Sequence, residues 1–235
     1  MTVAKRPTPK LVVILLRSER RTARWDEARM TERAETFYDL MRRRRSVRSF
    51  SEEAVPLELV RAIVRTAGTA PSGANLQPWR FCVVGNEQLK GEIRRVVEAE
   101  EEVNYRQRMG RQWVADVSRL GVDWQKPYLD AAPFLIVLMK ESYSRKGSRR
   151  QTNYYCEISA SIAAGFLIAA IHNCGLTTVP TTPMNAGPAI KRLLGREGRH
   201  NEKVLLLLPV GYPAEDATVP DLQKKPLSDI LDLYL

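Results

Sequence analysis

The chain is 235 residues long, enough for one large domain or two small ones around a sizeable core. Its net charge of +10 sits mostly at one end: residues 1–50 hold 14 Lys/Arg against 6 Asp/Glu, leaving 23 against 21 elsewhere. With no zinc-finger spacing, RNP motif or helix-turn-helix pattern, that distribution argues against a protein that reads nucleic-acid sequence.

The basic N-terminal stretch contains LVVILL at 11–16, too short for a membrane span or a signal core and flanked by Lys10 and Arg17. Residues 27–44 read as an amphipathic helix with Met30, Phe37, Leu40 and Met41 among its apolar positions. Pro56 opens a second helix, PLELVRAIVRTAG, which Gly68 closes. The loop TAPSGANLQPW follows, then RFCVVG as a strand and a helix from about residue 87 into an acidic run. PFLIVLMK at 133–140 has the length and composition of a buried strand. Residues 153–173, NYYCEISASIAAGFLIAAIHN, form a long apolar helix whose small residues suit either a core or a dimer axis. GLTTVPT and KVLLLLPVGYP supply two more strands around a short helix near 187–195. From Pro213 the chain is polar and Pro-punctuated, as suits an extended arm wrapping a partner.

Helices and strands mix without βαβ alternation, so the fold class reads as α+β. Neither GxGxxG nor GxxxxGK[ST] occurs, which argues against a standard dinucleotide or P-loop site. Cys82, Cys156 and Cys174 are scattered and odd in number, as in a protein of a reducing compartment. With only His172 and His200 available, no metal site is expected. The chain reads as soluble and cytoplasmic, without a membrane or nucleic-acid partner.

Four stretches carry chemistry. In RRRRSVRSF at 42–50, Arg44, Arg45 and Arg48 surround Ser46, a combination that suits a phosphate monoester. In isolation a solvated basic helix end explains it better. APSGANLQPWRF at 70–81 exposes backbone N–H groups around Gly73 against which a flat ligand could lie, although a plain helix-to-strand loop has the same composition. TTVPTTP at 177–183 puts threonine hydroxyls after a strand, where a planar cofactor's polar edge could be met or where a strand simply ends. Glu101 and Tyr105 lie four apart in the acidic run, and Lys126 is the only lysine between Lys90 and Lys140. A carboxylate, a phenol and an ammonium complement the zwitterionic head of an amino acid. Glu98, Glu100, Glu101 and Glu102 would by default be a solvated face.

Together, RRSVR and APSGANxQPW resemble the nitroreductase-like FMN-binding superfamily. The segments RTAGTAPSGA, EEEVNYRQRMG, WxKxYLDAAP, YYCEIS, TTPMNAGP and LLLLPVGYPAEDATVPDLQKKPL are similar to the iodotyrosine deiodinase family over roughly residues 32–230. The resemblance implies a central, mostly antiparallel sheet flanked by helices in an intertwined homodimer. It divides the chain into a basic N-terminal arm at 1–31, an FMN-binding domain at 32–212 with a substrate lid at 98–126, and an arm at 213–235 exchanged with the partner. Vertebrate members carry a membrane anchor at their N-terminus, and this chain is expected to lack it.

The resemblance also assigns roles. Arg44, Arg45, Ser46, Val47 and Arg48 would hold the FMN phosphate and ribityl chain, and Pro71, Ser72 and Gly73 would line the flavin. Pro180 and Thr181 lie beside it, and Thr182 matches the threonine whose hydroxyl approaches flavin N5, the one catalytic assignment. The Ala74 backbone N–H would meet the substrate phenolate. Lys126 would hold the substrate carboxylate, Glu101 its ammonium, with Tyr105 bridging. Two departures stand out: Lys224 replaces a usual arginine near FMN, losing bidentate geometry, and Pro180 replaces a common threonine, removing a backbone donor. The implied activity is FMN-dependent reductive dehalogenation of iodo-, bromo- and chlorotyrosine, with electrons from a reductase or NAD(P)H (NADPH included). The alternatives are a general nitroreductase or quinone reductase, and a flavin-binding interaction protein without catalysis.

Overall fold

The computed structural model describes residues 25–147 and 149–235, so the LVVILL stretch lies outside the described residues. The chain divides between Arg43 and Arg44. In the first unit, α1 (Glu27–Arg42) starts where the Asp26 carboxylate accepts the Arg29 N–H at 2.7 Å. The guanidiniums of Arg29 and Arg33 lie 5.5 and 4.3 Å from the Trp25 ring centre. No residue of this helix is buried, and Phe37 is 58% exposed.

The second unit is built on strand β2. Its elements in chain order are α2 (Leu57–Ala67), β1 (Trp79–Val84), α3 (Glu87–Val103), α4 (Arg111–Ser118), α5 (Tyr128–Ala131), β2 (Phe134–Glu141), the hairpin β3 (Tyr143–Lys146) and β4 (Arg149–Thr152), α6 (Cys156–Asn173), β5 (Thr177–Thr178), α7 (Gly187–Leu193) and β6 (Glu202–Gly211). The main sheet runs β1-β2-β6-β5, and every pairing among these strands is antiparallel. Leu138 pairs with Leu206 while Met139 pairs with Val204, so Leu205 bulges out of β6.

Leu135 through Met139 of β2 are all fully buried, because both faces of the sheet are covered. Strand alternation sends Leu135, Val137 and Met139 to one side with Ile93, Val97, Leu129 and Ile190 of α3, α5 and α7. Ile136 and Leu138 point the other way, to Val60, Ile63, Leu167 and Ile171 of α2 and α6. The predicted α+β architecture of helices flanking an antiparallel sheet is thus observed, as three layers.

α6 is, among the described residues, the helix long and apolar enough to cross a membrane, and it packs one face into the core. Ala160, Ala163, Ala164, Leu167 and Ile171 are buried. Its outer face stays apolar, with Ile158 61%, Ile162 39% and Phe166 40% exposed. Gly68 closes α2 as expected, but with right-handed backbone (φ −66°). At the end of β6, Gly211 is required by space: a Cβ there would stand 2.6 Å from Pro133 Cδ. From residue 221 onward every residue of the C-terminal arm is exposed.

Candidate functional site

α3 is capped by Asn86, whose Oδ1 accepts the Leu89 N–H at 2.8 Å, and runs unbroken to Val103. It ends in a π turn, Asn104–Arg108, closed by Met109 N–H on the Asn104 carbonyl at 2.9 Å. That wider turn carries Tyr105 towards the segment 119–127. Lys126 returns to α3 and is held twice. Its backbone N–H donates to Glu98 Oε1 at 2.6 Å, and its Nζ lies 3.7 Å from Glu101 Oε2. Lys126 Nζ also donates to the Asp123 carbonyl and sits 5.2 Å from the Tyr105 ring centre. The acidic run is therefore only partly the solvated face its composition suggests: Glu101 is 7% exposed and Lys126 2%. Glu98 is in turn fixed by Arg94 Nε at 2.8 Å, and Arg94 reaches Asp130 of α5 at 3.1 Å.

Above this pair the Tyr105 and Trp113 rings meet edge to face, 5.0 Å apart. Burial, then the carboxylates of Glu101 and Asp123, push the Tyr105 phenol up to about 12, with Arg48 opposing. Burial lowers the Lys126 ammonium, against the pull of Glu101 and Asp123. The trio opens onto a cavity of about 310 Å³ whose walls include Arg48, Trp113, Val117, Tyr128, Pro180, Thr181 and Thr182. Burial pushes the Tyr128 phenol up to about 12, with Thr181 and Arg48 opposing.

Arg48 reaches the wall because Ser46 bridges Thr178 of β5 in parallel and Val47 N–H donates to the Thr178 carbonyl at 3.3 Å. Arg48 Nε and Thr178 Oγ1 are buried without a hydrogen-bond partner. A buried guanidinium N–H with no acceptor is costly unless an anion completes it, and a phosphate-bearing cofactor is such an anion. The donors present therefore fit FMN.

Sequence reading brought Arg48, Glu101, Tyr105, Lys126, Pro180, Thr181 and Thr182 together, and all seven line this one cavity. Ala74, Pro71, Ser72 and Gly73 do not line it. Their loop lies instead against the start of α6, with Gly73 N–H on Ser159 Oγ at 3.4 Å and no room for a Cβ without pressing on the Tyr154 carbonyl. Ala74, Asn75 and Gln77 all have positive φ, and the Asn75 and Gln77 N–H groups donate back to the Ser72 carbonyl at 3.0 Å and to Ser72 Oγ at 2.9 Å. Arg44 and Arg45 are half-buried beside the cavity strand, and Lys224 lies on the exposed arm. Sequence reading assigned no role to Trp113, Val117 and Tyr128: Tyr128 lies in the WxKxYLDAAP segment, while Trp113 and Val117 gain their place only through the return of the chain to α3.

Residues 41–212 match the Nitroreductase family. The iodotyrosine deiodinase of Danio rerio is 54% identical over 205 residues, covering 87% of this chain and 69% of that protein. The chain belongs to the iodotyrosine deiodinases of the nitroreductase family. Iodotyrosine deiodinase 1 of Homo sapiens is 50% identical, covering 88% of this chain and 71% of its own length. A crystal structure of oxidized iodotyrosine deiodinase bound to FMN and 3-iodo-L-tyrosine superposes with a TM-score of 0.69 at 35% identity, over 81% of this chain and 95% of that one. A BluB-like flavoprotein from Clostridium difficile, 21% identical with a TM-score of 0.66 over 84% of this chain and 98% of its own, shares the fold.

Proposed function

We propose that this chain is an FMN-dependent reductive dehalogenase of halotyrosines. The observation that carries this reading is the convergence of Glu101, Tyr105 and Lys126 on the same cavity as Arg48, Thr181 and Thr182. Arg44, Arg45, Ser46, Val47 and Arg48 would hold FMN through its phosphate, Pro180, Thr181 and Thr182 would edge it, and Thr182 would serve N5. When bound and reduced, FMN supplies the two electrons that replace an aryl–halogen bond by aryl–hydrogen, with one proton taken up and halide released. The chain's own residues bind and orient. Lys126 takes the substrate carboxylate, Glu101 its ammonium and Tyr105 bridges them, while Trp113, Val117 and Val122 cover the ring and exclude water.

The cofactor residues fall in two groups, one in the cavity and one in the 71–74 loop against α6. A homodimer that sets one copy's loop over the other copy's cavity unites them, so that FMN is shared between subunits. The apolar outer face of α6 and the exposed Leu227 and Leu233 of the C-terminal arm, at 65% and 68%, support that assembly. In this reading residues 1–31 are a basic arm, 98–126 the lid, and 213–235 an exchanged arm that brings Lys224 to the partner's FMN. The free cysteines accord with a cytoplasmic setting, where a reductase or NAD(P)H provides the electrons.

The test is titration of the oxidised FMN-loaded protein with 3-iodotyrosine, followed by anaerobic turnover with dithionite. Lys126→Ala and Glu101→Ala each weaken binding roughly 10- to 100-fold, the worth of a hydrogen bond to a charged group. Unchanged affinity in both variants, or turnover of nitroaromatics alone, rejects the halotyrosine reading.

A further inference from the structure

Asn104 is 1% exposed, at the junction of α3 and its π turn, and has no part in the assignments above. Asparagine is a poor residue for a buried helical position unless its amide is hydrogen-bonded on both its nitrogen and its oxygen. Here it is. Asn104 Nδ2 donates to Glu101 Oε1 at 3.1 Å. Its Oδ1 accepts from Arg108 NH1 at 3.1 Å and from Asn185 Nδ2 at 3.1 Å. Two donors converge on one oxygen, so the amide can face in only one direction, with its NH2 on Glu101.

Asn185 stands in the turn that follows Thr182, where Met184 N–H donates to the Thr182 carbonyl at 2.9 Å, and it holds a left-handed backbone, φ 65°. A single side chain thus joins the carboxylate facing the amino-acid head to the loop bearing Thr181 and Thr182. Glu101 is left with Oε1 occupied by Asn104 and Oε2 facing Lys126.

We propose that Asn104 is a positioning residue: it fixes the Glu101 carboxylate and sets its place relative to the threonine loop, and so confers selectivity for halophenols that carry an amino-acid head. The inference rests on the halotyrosine reading, in which Glu101 receives the substrate ammonium. Without Asn104 the Glu101 carboxylate gains freedom to turn fully onto Lys126, and the two charges then satisfy each other instead of the ligand.

The experiment compares 3-iodotyrosine with 2-iodophenol, which has the ring and halogen but no head, on the oxidised FMN-loaded protein. Asn104→Ala and, separately, Asn185→Ala are expected to weaken 3-iodotyrosine binding about tenfold or more, with Asn185→Ala the milder, and to leave 2-iodophenol and FMN binding unchanged. In a Glu101→Ala background, Asn104→Ala should add little, since its effect runs through that carboxylate. Equal losses for both ligands, or wild-type affinity for 3-iodotyrosine in both variants, would overturn the proposal. If Asn104→Ala does not fold, Asn185→Ala, which alters an exposed residue, decides alone. Failure of the wild-type protein to bind 3-iodotyrosine would instead sink the halotyrosine reading, a distinguishable result.

Discussion

Burial lowers the Lys126 ammonium below its ordinary 10.5, while Glu101 and Asp123 pull it back up and Arg48 adds to the lowering. The protonated form is the one that attracts a carboxylate. As pH climbs through the lowered value, binding must take up a proton, and the dissociation constant rises by up to about tenfold per pH unit. Halotyrosine affinity in the wild type should therefore decline at lower pH than in Lys126→Arg, whose guanidinium stays charged. Titrations from neutral pH to about pH 10 check this, and superimposable profiles would contradict it. The same shift makes the unfolded chain bind more protons between the lowered value and 10.5, so this residue's contribution to stability rises with pH there. Tyr105, raised to about 12, has the opposite sign above pH 10. Glu101, Tyr105 and Lys126 were legible in the sequence because they sit in a recognisable segment. Glu98 and Asn104 were not, since their partners are a backbone N–H 28 residues away and an amide 81 residues away. Only folding brings such partners together.

At the scale of elements, α3 gives its four clustered carboxylates different tasks. Glu98 receives Lys126 and Arg94, Glu101 faces the cavity, and Glu100 and Glu102 pair outward with Arg108 and Arg106, each at 2.7 Å. Glu98→Ala should lose about 1–3 kcal/mol in urea unfolding, because it strands an inward N–H. Glu102→Ala should stay within about 0.5 kcal/mol, as for an exposed pair. Equal effects would refute the division. Gly211→Ala should cost about 1–3 kcal/mol by overpacking Pro133, read the same way. β1, β2 and β6 announced themselves as apolar runs, α2 by Pro56 and Gly68 at its ends, and α6 by its length and apolar composition. α4 and the β3–β4 hairpin did not: RQWVADVS is short and mostly exposed, and RKGSRR lacks the β-branched residues that mark strands.

For the whole molecule, the proposed homodimer turns on the outer face of α6. Ile162→Lys should convert the protein to monomers in light scattering and remove bound FMN, because a charge on an apolar contact is costly to bury. Dimers that keep their FMN would rule out α6 as the contact. The position of the 71–74 loop, away from the cavity that holds Arg48 and Lys126, has a genetic consequence. If each active centre takes its cavity from one copy and its loop from the other, two defective proteins can rescue each other. Lys126→Ala co-expressed with Gly73→Val would give mixed pairs in which one centre inherits both defects and the other none. Random pairing leaves about a quarter of centres intact, so at low halotyrosine concentration blending the two defective alleles would restore deiodination beyond what either shows alone.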